Sequence, residues 1–99
     1  MARIELAPAV LDDFDRILEH LERFEVADPS ARIAEIVAAV HVLSHSPQIG
    51  RPTRGGKREL VIGRASHGYV VLYRFVASVD VVFVLAIRSQ RERGFERAE

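Results

Sequence analysis

The spacing of apolar and polar positions changes period along this chain, and each change marks a new element. From Val10 onward, Val10, Leu11, Phe14, Ile17, Leu18, Leu21 and Phe24 recur at steps of one, three and four. Asp12, Asp13, Asp15, Glu19, Glu22 and Arg23 fill the positions between them. This pattern predicts an amphipathic helix with a wide apolar stripe and a charged solvent side. Pro8, with φ preset and no amide hydrogen, suits its first turn. Asp28-Pro29 then opens a second helix, with Asp as N-cap and Pro in the first turn. Its apolar positions are Ile33, Ile36, Val37, Val40 and Leu43, and it is predicted to end near His45, before Ser46-Pro47. The short link between the two predicts a helical hairpin. Ala31, Ala34, Ala38 and Ala39 permit its close approach to a neighbour.

Beyond a loop rich in turn formers, 46–57, the period falls to two. Runs at 58–62, 69–75 and 81–88 are β-branched and aromatic, and Gly, Ser or Asp bounds them. They read as covered strands of a sheet. In the second run Tyr69, Val71, Tyr73 and Phe75 share one face, and Val70, Leu72 and Val76 the other. Alternation places Arg74 with Val70 and Leu72, and Arg88 with Val82 and Val84. Gly55-Gly56 reads as a turn delivering Lys57 and Arg58 into the sheet. Arg3-Ile-Glu-Leu6 alternates and is short, as an edge strand would be. The order β-α-α-β-β-β predicts an α+β fold, with a helical hairpin (about 8–45) packed on a mostly antiparallel four-stranded sheet. The sheet core is expected at 58–88 and a polar tail at 89–99, all within one domain, 1–99.

Composition narrows the classes. Ninety-nine residues suffice for one modest core, and 48% apolar with 28% charged residues is ordinary for a globular protein. With no cysteine there is neither a disulfide nor a thiolate metal site, which agrees with a reducing compartment. Acidic residues from Glu5 onward and the lack of an uninterrupted apolar run argue against a signal peptide or membrane span, so a cytoplasmic protein is expected. The net charge of zero conceals an asymmetry. Residues 1–50 hold four Lys/Arg against nine Asp/Glu, a balance of −5, and residues 51–99 hold ten against five, a balance of +5. Such segregation favours an anionic partner, whether nucleic acid or an acidic protein.

Candidate chemistry centres on arginine. A guanidinium stays charged and meets anions bidentately, and Arg58, Arg64, Arg74, Arg88, Arg91 and Arg93 all lie on or just beyond the predicted strands. The other candidates are weaker. His41 and His45 share a helix face, but Val42 stands where a zinc protease motif needs Glu, and the pair reads as histidines near a helix C-terminus. Gly50, Gly55, Gly56 and Gly63 form no phosphate-binding pattern. Glu59, His67, Tyr69 and Tyr73 are the groups near the sheet able to move a proton. Tyr69 and Tyr73 read as core residues and His67 as a turn residue, so no catalytic set emerges. No metal or cofactor is expected.

Several words in this order resemble the RelE/ParE superfamily of bacterial toxins from toxin–antitoxin operons. They are Pro47 with Gly50-Arg51-Pro52, Arg58-Glu59-Leu60, Gly68-Tyr69-Val70, Leu72-Tyr73-Arg74, Val84-Leu85-Ala86-Ile87-Arg88 and Gln90-Arg91-Glu92. The long helical hairpin before them is similar to the ParE branch. The resemblance implies a toxin that inhibits DNA gyrase and is neutralised in a hetero-oligomer by a cognate antitoxin, whose C-terminal segment wraps grooves beside the hairpin and sheet. It implies a target-binding basic surface of Arg51, Arg54, Lys57, Arg58, Arg64, Arg74, Arg88, Arg91 and Arg93, with Phe95. No sequence-specific DNA binding by this chain is expected, since both helices carry acidic outer faces. A RelE-like ribosome-dependent mRNA nuclease is the alternative, with Arg58, Arg74, Arg88 and Arg91 on the RNA. Ser89 stands where many relatives have His, and Phe95 where many have Tyr, and both departures point away from cleavage. A degenerate toxin that only binds its antitoxin is a third reading.

Overall fold

The computed structural model describes residues 1–24, 26–64 and 68–92. Its elements are β1 (Arg3–Leu6), α1 (Ala9–Arg23), α2 (Pro29–Val42), β2 (Arg51–Pro52), β3 (Arg58–Ile62), β4 (Tyr69–Val76) and β5 (Val81–Ser89). The strands form one sheet in the order β1-β5-β4-β3-β2. Only the β1–β5 pairing is parallel, because the hairpin carries the chain across before β5 returns beside β1.

The α+β reading holds, with one strand more than expected. Residues 51 and 52 fall within the predicted loop 46–57, yet they pair antiparallel with Glu59 and Arg58 and make a fifth, edge strand. Two residues carry no periodic signal, and Pro52 lacks an amide hydrogen, which restricts it to such an edge.

Helix starts follow the local chemistry. The Asp28 carboxylate accepts from the amide of Ala31 at 3.2 Å, with Pro29 in the first turn. Gly55 and Gly56 adopt φ of 71° and 74°, the left-handed region that a side chain resists, and the chain leaves them through Lys57 to enter β3 at Arg58.

Both helices cover one face of the sheet. Val10, Ile17 and Leu21 of α1, with Ile36 and Val40 of α2 and Leu43 just beyond it, pack on Tyr69, Val71, Tyr73, Val82, Val84 and Ile87. Burying each such side chain contributes on the order of 2 kcal/mol before the cost of ordering it. Asp13 departs from the pattern. Expected on the solvent side of α1, it is 2% exposed.

The strand faces also need a correction. Leu72 pairs with Ala86 but Tyr73 with Val84, so Leu85 is the extra residue of a β-bulge in β5. The bulge reverses the parity of everything after it. Ile87 therefore faces the helices with Val84 and Val82, and Arg88 does not share their side. Opposite Val70, it lies on the outer face with Ala86 and Phe83.

Candidate functional site: a basic outer face and an arginine-lined cleft

The bulge brings Arg74 and Arg88 onto one surface. Arg51, Glu59, Leu72 and Ala86 are successive partners across the outer face, flanked by the pairs Val70–Arg88 and Arg74–Phe83. The result is an apolar floor of Val70, Leu72 and Ala86 with cations around it. Arg74 reaches toward the β2–β3 turn, where its Nη1 lies 3.2 Å from the position a Cβ on Gly56 would take. Arg74 thus reaches the turn that Arg54 and Lys57 flank, at one corner of this face. Arg51 beside them is paired with Glu59 at 2.8 Å.

Arg58 does not join this surface. It lies on the helix-side face opposite Tyr73, and its Nη1 donates to the carbonyls of Gly50 at 2.8 Å and Gln48 at 3.2 Å. Tyr73, fully buried, accepts the amide hydrogen of Gly50 at 2.8 Å through its hydroxyl. Burial pushes the Tyr73 phenol above its usual pKa, against the pull of the Gly50 bond and of Arg58. Together Arg58 and Tyr73 hold the 48–50 loop in place. Arg88 also holds backbone, its Nη1 donating to the carbonyls of Ser89 and Glu92, both at 3.1 Å.

Arg64 and Arg91 sit at the far end of the sheet and are exposed. The other expected contributors, Arg93 and Phe95, and the turn residue His67 lie outside the described residues. His41 and His45 are both exposed, and among the described residues no three metal-ligand side chains converge.

A feature that the strand arginines did not announce lies at that same end. A cleft of about 250 Å³ opens between α1, the start of α2 and the ends of β4 and β5. Ile17, Leu21 and Val26 form its apolar part, and Arg32, Tyr69 and Arg91 its polar part. The Tyr69 phenol is raised by burial, with Arg32 lowering it, Glu35 raising it and Arg91 lowering it, so all three charges bear on one hydroxyl. Arg32 gave no periodic signal in the acidic half of the chain, which is why it was missed.

One wall is braced by a part-buried network centred on the buried Asp13. Asp13 accepts from Arg16 Nη1 at 2.8 Å and from the amide of Ile87 at 2.9 Å. Arg16 Nη2 donates to the Ile87 carbonyl at 3.0 Å and to Glu92 at 3.2 Å. Glu92 in turn accepts from the Ser89 amide at 2.7 Å. Partial burial opposes the charge of Arg16, but Asp13 and Glu92 outweigh it and raise its pKa above the usual arginine value. A second, apolar groove of about 220 Å³ runs where Ile4 and Leu6 meet Phe14, Val37 and Val40, with His41 at its edge.

A two-helix hairpin on a mostly antiparallel sheet with this topology is the fold of toxins from toxin–antitoxin complexes. The ParDE system of P. aeruginosa contains a chain with TM-score 0.70 and 21% identity, matched over 90% of this chain and 96% of that one. A chain of the RelBE2 complex of Mycobacterium tuberculosis gives 0.66 and 19%, over 90% and 98%. One from the E. coli RelBE complex gives 0.63 and 17%, over 94% and 100%. No curated protein sequence matches the chain. The family model described as the ParE toxin of type II toxin–antitoxin system, parDE, matches residues 4–94, and the chain belongs to that family. Among the described residues no helix is long and apolar enough to cross a membrane.

Proposed function

We propose that this toxin acts by binding, inhibiting DNA gyrase, and that a cognate antitoxin neutralises it in a hetero-oligomer. The match of the ParE model over residues 4–94 carries this reading. The commitments of the site's polar groups support it. Arg58 and Arg88, two of the four arginines that the nuclease reading places on RNA, hold backbone carbonyls of the protein itself. The corner formed by Arg54, Lys57 and Arg74 remains for contact with the target or with DNA held in it. Cations so clustered raise the encounter rate with an anionic surface and make the contact sensitive to salt. The apolar groove at Phe14 and Val37 suits the non-polar side of an antitoxin segment that orders on binding.

Induced expression of the chain alone tests the proposal. Growth arrest with loss of DNA supercoiling, relieved by co-expressed antitoxin, is the expected result. Arrest with normal supercoiling and cut ribosome-bound mRNA would replace it with the nuclease reading. Folded protein without arrest would leave antitoxin binding as the function.

A further inference from the structure

The turn between β2 and β3 sets cations side by side with no acid among them. Arg58 lies opposite Tyr73, and Glu59 opposite Leu72. One step back along the same register, Lys57 comes opposite Arg74, on the outer face with Glu59 and Leu72. Like charges directly opposite one another in a sheet are destabilising, and a carboxylate between them would remove that cost. The one acidic residue between positions 36 and 79 is Glu59, and Arg51 holds it at 2.8 Å. Among the described residues Arg54, Lys57 and Arg74 form no ion pair.

The turn keeps these cations close. The Thr53 amide donates to the Lys57 carbonyl at 2.8 Å and closes it. Lys57 Cε lies 3.8 Å from where a Cβ on Gly55 would stand, and Arg74 Nη1 lies 3.2 Å from the corresponding position on Gly56. Both side chains are half-buried, and both reach the same bare glycine backbone instead of turning apart into solvent. Cations held together in this way suit an anion that a ligand supplies. One carboxylate would neutralise one of these three charges. A DNA backbone brings a negative charge about every 1.7 Å of helix axis. Each phosphate also offers a guanidinium two oxygens at once and an ammonium a point charge.

We infer that the β2–β3 turn is a phosphate site, where Lys57 and Arg74, with Arg54 beside them, hold the backbone of duplex DNA. That this DNA is the segment engaged by gyrase rests on the function proposed above; the site itself does not. Such contacts fix the position of the protein on the duplex and carry no base sequence. Arg58, next in the chain, takes no part, because its guanidinium is bonded to the carbonyls of Gly50 and Gln48 on the helix side.

The test is binding of the purified toxin to two short DNA duplexes of unrelated sequence, without gyrase, over a range of salt concentrations. Fluorescence anisotropy of labelled duplex follows it. The inference predicts equal affinity for both duplexes, falling as salt is raised. Lys57→Ala and Arg74→Ala should each weaken binding to both duplexes alike and lower the salt slope by about one. Arg58→Ala, assayed well below its melting temperature, should keep the wild-type slope. Added duplex should move the amide NMR signals of Gly55 and Gly56 and leave that of the buried Gly50 in place. No binding at low salt, or Lys57 and Arg74 variants with the wild-type slope, overturns the phosphate site. If the wild-type toxin then still blocks supercoiling by gyrase, the gyrase reading stands and the corner meets acidic residues of the enzyme. DNA binding with the predicted slopes but no effect on supercoiling upholds the site and removes the gyrase reading.

Discussion

The carboxylate of Asp13 accepts the backbone amide of Ile87 at 2.9 Å, joining positions 74 residues apart. β1 accompanies β5 only as far as Val84, so beyond that point β5 has no strand on its outer side. Asp13 takes the amide and Arg16 the carbonyl of Ile87, and the two side chains stand in for the missing strand. This explains a buried acid on a helix side that the charge pattern assigned to solvent.

Replacement of Asp13 is therefore expected to cost about 3 kcal/mol, since a buried amide and a guanidinium lose their partner together. Asp13→Asn should cost nearly as much as Asp13→Ala. Both partners are donors, and an amide offers only one acceptor oxygen. Chemical denaturation measures the loss, and hydrogen exchange at Ile87 should accelerate with it.

A second close contact fixes the 48–50 loop. A Cβ on Gly50 would stand 2.6 Å from the Tyr73 hydroxyl oxygen and 2.7 Å from its Cε1. Gly50→Ala should destabilise by about 1–3 kcal/mol through overpacking. Tyr73→Phe should cost about 1–3 kcal/mol by leaving the Gly50 amide without its acceptor. The double variant should recover only part of the overlap, because Cε1 remains, and a double-mutant cycle on unfolding free energies checks this.

Both tyrosines have folded-state pKa values raised by burial. Their contribution to stability is complete below the unfolded value of about 10. It is lost as pH rises through the folded values, because the unfolded chain releases its phenol protons first. Unfolding free energy should therefore fall as pH climbs from about 10. Tyr73→Phe, though less stable at neutral pH, should show a shallower fall, measurable by denaturation at a series of alkaline pH values.

The sequence carried the periodic elements well and the pairings between them less so. Seven apolar positions at helical steps defined α1, and the strands of the sheet core emerged from their β-branched runs. The fifth strand did not, because two residues carry no alternation, and Arg51-Pro52 becomes a strand only through its pairing with Glu59 and Arg58. The bulge at Leu85 was equally invisible: an extra residue within an all-apolar run leaves no mark on the alternation, yet it decides which face carries Arg88. The basic surface was legible as composition, but its division was not. Nothing in the sequence distinguishes Arg74 on the outer face from Arg58 turned inward to two carbonyls.

That division predicts opposite phenotypes for similar substitutions. Arg58→Ala should lower stability by about 1–2 kcal/mol through its lost carbonyl contacts, and should lower toxicity only in proportion. Arg74→Ala should change stability by less than about 0.5 kcal/mol, yet reduce toxicity. Thermal melts beside growth assays at matched expression separate the two.

A supercoiling and cleavage assay with purified gyrase tests most directly whether the toxin acts by binding gyrase through its basic corner. Wild-type toxin should abolish supercoiling or trap cleaved DNA. The Arg54→Ala/Lys57→Ala/Arg74→Ala variant, folded and equally stable, should need at least about tenfold more protein for the same effect, with the wild-type effect weakening as salt is raised. Undiminished supercoiling with saturating wild-type toxin, or equal potency of the triple variant, would contradict the account.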